Sequence, residues 1–558
     1  MMSSHGSFKH KKYRPFPPIS LPDRQWPKRV IHKAPRWCAV DLRDGNQALI
    51  DPMSPQQKKT MFDLLVAIGV KEIEVGFPAA SQMDFDFVRA LIEGCAIPDD
   101  VTIQALTPAR PALIQRTFDA LKGAPRAIVH LYNSTSPIQR EQVFKLDKAG
   151  VIEIAVQGAN TVKKLAEQHP DTDWTFQYSP ESFTATELDF SVEICNAVSQ
   201  IWQPTADKPI VINLPATVEV ATPNVYADQV EWFCRNIRKR EATIISLHTH
   251  NDRGCAVAAA ELAVMAGADR VEGTLLGNGE RTGNMDLVTM AMNLYSQGID
   301  PELDFSNMDR IIHVVEDCTK LPIHPRHPYA GELVFTAFSG SHQDAIKKCL
   351  AQRQPKDDWD VAYLPIDPSD LGRSYQEVIR INSQSGKGGI AYILEKHTGF
   401  ELPRWLQIEF SAIVQKLADK EGREIAPKTM IALFEQRYLN ENVVLNHYNI
   451  TRHNNEQISV NFNAQNKEWD INGEGNGALD ALVNGVNKRL NSDITVTSYH
   501  EHSLSDHTAS KAVCYLQIRH ASQVYTAVST SEDLVSAPIK AFINAITQAK
   551  LLNHLDAA

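Results

Sequence analysis

The sequence predicts an α/β fold: a (β/α)8 TIM barrel, then a helical linker subdomain, then a C-terminal α+β domain with an internal βββα repeat. Three observations predict it. From about residue 36 to 290, eight short β-type runs alternate with amphipathic stretches, the size and rhythm of such a barrel. Nearly every run ends in ionisable or amide side chains. Beyond about residue 431 the character changes, and strands followed by a helix occur twice. At 558 residues the chain is also too long for one core, since single cores stop growing at about 250–300 residues. Residues 1–35 read as an N-terminal arm, 36–315 as the barrel, 316–430 as helical linker subdomains and 431–558 as the C-terminal domain.

The arm carries Lys9, Lys11, Lys12 and Arg14, with no acidic residue before Asp23. It lacks the apolar stretch of a secretory signal, and Pro15, Pro17, Pro18 and Pro22 spoil any long amphipathic helix. Phe16 and Ile19, set among those prolines, predict an extended segment lying over the body. The whole chain is 43% hydrophobic and 22% charged, and its net charge of -11 argues against a general nucleic-acid binder. No apolar run reaches the roughly 18 residues of a membrane span. The eight cysteines are scattered without a C-x-x-C pair, which predicts reduced, mostly buried thiols and a cytoplasmic protein.

In the barrel the candidate strands are Trp37–Leu42, Glu72–Gly76, Val101–Leu106, Ala127–Leu131, Trp174–Tyr178, Ile210–Leu214, Thr243–Leu247 and Arg270–Leu275. Between them lie helical stretches such as Pro55–Ile68, Asp84–Glu93, Pro108–Leu121 and Thr222–Arg238. A doubly wound open sheet is the structural competitor. It usually carries a glycine-rich turn after its first strand, and Arg43-Asp44-Gly45-Asn46-Gln47 is not a dinucleotide fingerprint.

The barrel reading gathers polar residues at one rim, because active sites of such barrels lie at the C-terminal ends of the strands. The seventh run leads into His248-Thr249-His250-Asn251-Asp252. Side chains two apart on a strand point the same way, so His248 and His250 offer two imidazoles together. A carboxylate and one more donor would close a metal site. Isolated, the same pair reads as two solvated loop histidines. Six other runs end near Arg43 and Asp44, Glu74, His130, Ser179 and Glu181, Asn213 and Thr217, and Glu280 and Asn284. A rim built only for stability has no reason to collect them.

Leu42–Gln47, His248–Asp252 and Gly277-Asn278-Gly279-Glu280-Arg281 together resemble the DRE-TIM metallolyase superfamily of acyl-CoA-dependent aldol and Claisen enzymes. Within it, Glu72–Ser81 (EIEVGFPAAS), Phe335–Asp344 (FTAFSGSHQD) and Asn382–Ile390 (NSQSGKGGI) resemble the 2-isopropylmalate synthase family, of the longer bacterial and fungal type. The resemblance covers essentially the whole chain.

It implies an acyltransferase that condenses acetyl-CoA with 3-methyl-2-oxobutanoate and hydrolyses the thioester to (2S)-2-isopropylmalate and CoA, the first committed step of leucine biosynthesis. It further implies a divalent metal on Asp44, His248, His250 and Asn284, with Mg²⁺ the first expectation, Mn²⁺ or Zn²⁺ as alternatives, and K⁺ as a possible activator. One anionic oxygen, two nitrogens and an amide oxygen suit such an ion and leave room for a chelating 2-oxoacid. Arg43 is the implied cation for the developing oxyanion, because a guanidinium stays charged and donates in a fixed fork. Glu181, His342 and Tyr375 are implied in proton transfer and hydrolysis. Judged without the resemblance, His342 and Tyr375 read as packing residues beyond the barrel. His130, Ser179, Asn213, Thr217 and Glu280 are the implied substrate contacts. Related condensing enzymes, a citramalate or homocitrate synthase, share these motifs, and a non-catalytic ligand sensor on a degenerate barrel is the farther alternative.

Residues 291–430 read as helical, with Asp357–Pro365 an exposed connection flanked by His342 and Tyr375. For those two to act, this region must fold over a barrel mouth, its own or a partner's, and the family implies a homodimer. In the C-terminal domain the first copy runs through Ile458–Ala464 and Trp469–Ile471 to a helix at Ala478–Leu490. The second runs through Ile494–Tyr499, Ala512–Arg519 and Gln523–Ser529 to a helix at Leu534–Leu552. Gly473-Glu-Gly-Asn-Gly477 lacks the Lys-Ser/Thr ending of a phosphate loop and reads as a tight turn at a small-ligand site. By resemblance this is a leucine-binding regulatory and dimerising domain, with leucine as allosteric inhibitor of the barrel.

Overall fold

The computed structural model describes residues 10–337, 339–373, 387–421, 425–439, 443–452, 455–504 and 511–554. Two compact units emerge: Met1–Val334 with Ile366–Arg373, and Phe335–Pro365 with Ser374–Ala558.

The first unit is a closed barrel of eight parallel strands in chain order, each hydrogen-bonded to the next and the eighth to the first. The strands are β1 (Arg36–Ala39), β2 (Glu72–Gly76), β3 (Thr102–Pro108), β4 (Arg126–Ser134), β5 (Asp173–Glu181), β6 (Ile210–Ala216), β7 (Thr243–Thr249) and β8 (Arg270–Gly273). The helices between and after them are α1 (Pro55–Ile68), α2 (Gln82–Glu93), α3 (Pro111–Leu121), α4 (Lys148–Glu167), α5 (Leu188–Trp202), α6 (Pro223–Asn236), α7 (Ala256–Met265), α8 (Leu287–Tyr295) and α9 (Met308–Thr319). Covered by helices outside and filled by side chains inside, the strands are buried almost throughout, as parallel strands are.

Local chemistry sets the boundaries. Ser54 and Gln57 close a capping box on α1, Pro55 takes its first turn, and Gly69 ends it at φ 107°, a left-handed position that glycine fills without strain. Asp286 caps α8 through the amides of Val288 and Thr289. Residues 10–35 form no strand or α-helix. Their middle is tied to α6: Arg24 grips Asp228 at 2.9 Å, the Trp26 indole donates to the same carboxylate at 2.8 Å, and the Trp26 amide donates to Glu231 at 3.0 Å.

The expected first strand differs from the observed one. It stops at Ala39, and Asp41–Gly45 wind into a single π-type turn, with the Gly45 amide reaching back to the Val40 carbonyl at 3.1 Å. A strand would send Arg43 and Asp44 to opposite faces, whereas the turn buries both. The eighth strand likewise ends at Gly273, two residues short of expectation.

The second unit begins with α10 (Gly340–Gln352), α11 (Lys387–Thr398), α12 (Arg404–Glu421) and α13 (Pro427–Tyr438). Phe400, Phe410, Phe434 and Tyr438 lead a core in which Val513, Tyr515 and Val528 also take part. Next come two three-stranded antiparallel sheets, each backed by a helix. The first has β9 (Val444–Arg452), β10 (Glu456–Ala464) and β11 (Lys467–Gly475), with α14 (Ala478–Leu490). The second has β12 (Thr495–Ser503), β13 (Ala512–His520) and β14 (Gln523–Ser531), with α15 (Ser536–Gln548). Both halves share one apolar core that includes Phe462, Trp469, Leu482, Leu516 and Phe542.

The βββα repeat is present, with two corrections. Strand β9 completes the first copy; most of its residues are exposed, so it carries little apolar alternation to read. The glycine stretch is not a tight turn, since β11 runs through Gly475. A Cβ at Gly473 would stand 1.9 Å from the Ala481 carbonyl oxygen, and one at Gly485 would stand 2.6 Å from that of Asn472. Glycine lets the backbone of α14 lie directly on β11. No described helix is long and apolar enough to cross a membrane.

Candidate active site

The C-terminal ends of the barrel strands open into a cavity of about 350 Å³. Its lining includes Arg43, Asp44, His130, Ser179, Glu181, Asn213, Thr217, His248, His250 and Glu280, which the sequence placed at one rim.

Asp44, on the π-type turn, meets the two histidines of β7's end. Its Oδ2 stands 3.4 Å from Nε2 of His248 and 3.4 Å from Nε2 of His250, and those two nitrogens are 3.1 Å apart. All three side chains are buried. Asn284 is brought alongside by a backbone bridge to His250, and its amide nitrogen donates to the Asn278 carbonyl at 3.1 Å. Oδ1 of Asn284 is buried and has no donor on it.

The donor set fits a divalent cation. Asp44 Oδ2 and Asn284 Oδ1 are buried acceptors with no hydrogen-bond donor on them, a costly arrangement unless something positive meets them. His248 donates from Nδ1 to Glu272 at 2.8 Å, which leaves its Nε2 lone pair facing the cluster. Protein charges alone hold these groups unevenly. Burial opposes charge on His248, but the nearby Asp44 and Glu272 carboxylates outweigh that and raise it to about 9. Burial and the neighbouring His248 charge push His250 down to about 3. Burial also opposes charge on Asp44, yet Arg43 and His248 hold it well below the usual carboxylate range. Facing nitrogens 3.1 Å apart cannot both carry a proton, and a bound cation satisfies both lone pairs at once.

Arg43 is fixed beside this cluster, its Nε on Glu74 and its Nη1 on Asp44 Oδ1 at 2.8 Å. Burial opposes its charge, but the Glu74 and Asp44 carboxylates raise its pKa further, so it stays a cation. Glu74 also accepts from His130 Nδ1 at 2.7 Å, and burial is outweighed by Arg43 and His130, lowering it to about 2. His130 Nε2 lies 2.7 Å from Ser179 Oγ, which Asn213 meets at 3.1 Å. Thr217 Oγ1 accepts the Ser182 amide at 2.9 Å, so its hydroxyl hydrogen remains for a ligand. Glu181 is bonded to Ser134.

His342 lies in the second unit, on α10, with its ring stacked on Tyr363 at 3.9 Å. Tyr375 lies outside the described residues.

Sequence reasoning gathers Glu74 at the rim and overlooks Glu272; the structure buries both carboxylates beneath it. Glu272, on β8, accepts from His248, Arg270 and Gln177, and Glu74 anchors Arg43 and His130. Their signal is present in the chain: Arg270 and Glu272 are charged residues inside a buried four-residue strand. Arg281 also lines the cavity and is held by Asp252 at 2.7 Å.

Comparison with known proteins agrees with this picture. The family model "HMGL-like" matches residues 34–315, "Alpha-isopropylmalate synthase, post-catalytic domain-like" matches 332–395, and "LeuA allosteric (dimerisation) domain" matches 424–550. The 2-isopropylmalate synthase of Alcanivorax borkumensis is 57% identical over 545 residues, covering 97% of each chain. That of Pseudomonas entomophila is 55% identical over 97% of each chain, and that of Rhodospirillum rubrum 57% over 91% of this chain and 92% of its own. With such identity along nearly its whole length, the chain belongs to the 2-isopropylmalate synthase family.

Proposed function

We propose that the chain condenses acetyl-CoA with 3-methyl-2-oxobutanoate and hydrolyses the product thioester, releasing 2-isopropylmalate and CoA. One observation carries the reading: a buried carboxylate oxygen without a donor faces two imidazole nitrogens, with a fixed guanidinium beside it, at the mouth of a barrel.

Asp44, His248, His250 and Asn284 would hold the divalent ion, Mg²⁺ first among candidates. When bound, it supplies Lewis-acid polarisation of the ketone. Thr217 donates its hydroxyl hydrogen to the oxoacid carboxylate, while His130, Ser179 and Asn213 shape the pocket around the side chain. A base removes a proton from the acetyl methyl group; the resulting carbon nucleophile forms a C–C bond to the keto carbon, and the ketone oxygen ends as a hydroxyl. Arg43, unable to lose its proton, stabilises negative charge as it develops on oxygen. Water then attacks the thioester carbon, the C–S bond breaks, and CoA leaves as the thiol. Glu181, His342 and Tyr375 divide these proton transfers, and the enzyme works as a homodimer. Leucine, bound in residues 431–558, inhibits by favouring one conformation over another. The enzyme works in the cytoplasm.

The test is thiol release from acetyl-CoA. The reading requires release that depends on 3-methyl-2-oxobutanoate and stops with chelator. Faster release with pyruvate or 2-oxoglutarate would assign the chain to a neighbouring activity. For regulation, a leucine titration with and without residues 431–558 should lose inhibition on truncation; inhibition that survives would refute the assignment.

A further inference from the structure

The two histidines of the cluster are supported unequally. Behind His248 stands Glu272, a direct carboxylate partner at Nδ1. Behind His250 there is no direct partner: its Nδ1 is buried and meets no acceptor. The ring is oriented by its Nε2, which faces Asp44 and His248, so Nδ1 must carry the proton if Nε2 is to offer a lone pair.

His250 also lines a second, small space of about 10 Å³, shared with Glu219, Thr184, Tyr226, Gln229 and Thr249 among others. That is about the room one water needs, roughly 10–15 Å³. Glu219 is 8% exposed, and its Oε1 is buried with no donor on it. Its other oxygen accepts the Arg253 amide, the Cys255 amide also helps to hold the carboxylate, and the Glu219 amide donates to Asp252 at 3.0 Å, which ties down the backbone. Four other polar side chains around the space each donate a hydrogen elsewhere. Tyr226 donates to the Leu214 carbonyl at 2.6 Å, Thr249 to that of Ala256 at 3.0 Å, Thr184 to that of Val218 at 3.3 Å, and Gln229 to that of Thr184 at 3.2 Å. Two residues, one carrying an orphaned donor and the other an orphaned carboxylate acceptor, therefore line one space of single-water size.

We propose that Glu219 is the positioning residue for His250: through one bridging water it accepts the Nδ1 hydrogen, which fixes the tautomer and keeps Nε2 free for the cation. The inference rests on Asp44, His248 and His250 being the metal site. It makes Glu219 the counterpart of Glu272, one step farther out. Partners of this kind typically contribute about 10–100-fold to metal affinity.

The test uses the full chain, stripped of metal and titrated calorimetrically with Mn²⁺ alone. Glu219→Gln retains an oxygen for the Arg253 amide and puts an NH₂ donor where the free acceptor was. It should weaken Mn²⁺ binding about 10–100-fold while leaving the metal-free melting temperature near wild type. Glu219→Ala should weaken binding as much and also lower that temperature, because the loop at Arg253 loses its anchor. Wild-type affinity in Glu219→Gln, or an affinity loss only in step with falling metal-free stability, would overturn the proposal. His250→Ala separates the two levels: if it binds Mn²⁺ like wild type, the site assignment itself falls. If it loses Mn²⁺ while Glu219→Gln does not, only the role of Glu219 falls.

Discussion

The rim of the barrel and the layer just beneath it both bury charge, but they treat it differently. Beneath the rim, Arg270 donates to Ser246 at 2.8 Å, to Glu272 at 2.7 Å and to Gln104 at 2.9 Å, with Glu72 on its Nε. Glu272 is filled on both oxygens by Arg270, Gln177, His248 and Asn213. At the rim, Asp44 Oδ2, Asn284 Oδ1, Asn213 Oδ1 and His250 Nδ1 are left unmatched. Gln177 Oε1 is the exception below. A saturated buried network serves to hold shape, whereas buried polar atoms without partners are costly and point to a ligand. The lower layer aims the upper one: Glu272 orients His248, and Glu74 orients Arg43 and His130.

The comparison can be broken by substitutions whose losses should fall in different currencies. Asp44→Ala should cost the most, about 10³-fold or more in kcat/KM for thiol release, because several kcal/mol of charge stabilisation go with the cation. Added divalent metal should not restore the rate. Glu272→Ala should instead show first in stability, about 3–5 kcal/mol in denaturant titration, since it leaves Arg270 buried with a partner missing. A rate loss without a stability loss there would erase the distinction between the layers. Arg43→Lys should lower kcat about 10²–10³-fold with folding intact, because an ammonium cannot meet Glu74 and Asp44 in the same fork. An ion pair outside both layers sets the floor. The Arg140 hydrogen bond, backed by its charge, lowers Glu187 to about 2, with side-chain exposure of 39%. Its folded value is depressed, so its stabilisation is present above about pH 4.5 and is lost as pH falls toward 2. Glu187→Gln should cost at most about 1 kcal/mol at pH 7 and nothing at the acid end, read from urea midpoints across pH.

Legibility in the sequence followed periodicity. His248 and His250 share a strand end, and period two alone puts their rings side by side. The same rule fails for Arg43 and Asp44, which reach one mouth only because Asp41–Gly45 form a π-type turn, and no spacing announces that turn. Strand β9 escapes because its mostly exposed residues show no apolar alternation, while Ala478–Leu490 is legible to the residue from its amphipathic face and flanking glycine. Glu74 and Glu272 carry chemistry from strand interiors, where a carboxylate looks misplaced until its buried cation is known. Glu219 depends on a cavity wall assembled from several elements and leaves no mark in the linear pattern. Only the family resemblance ties His342 and Tyr375 to the site.

The central claim is that Asp44 Oδ2 and the Nε2 atoms of His248 and His250 form a cation site. Crystals of the full chain grown with Mn²⁺ and 3-methyl-2-oxobutanoate test it through anomalous scattering at the manganese edge. The account predicts one strong peak between Asp44 Oδ2 and the Nε2 atoms of His248 and His250, about 2.0–2.2 Å from each, with the oxoacid completing the shell. A catalytically competent enzyme whose manganese peak lies away from these three residues would contradict it.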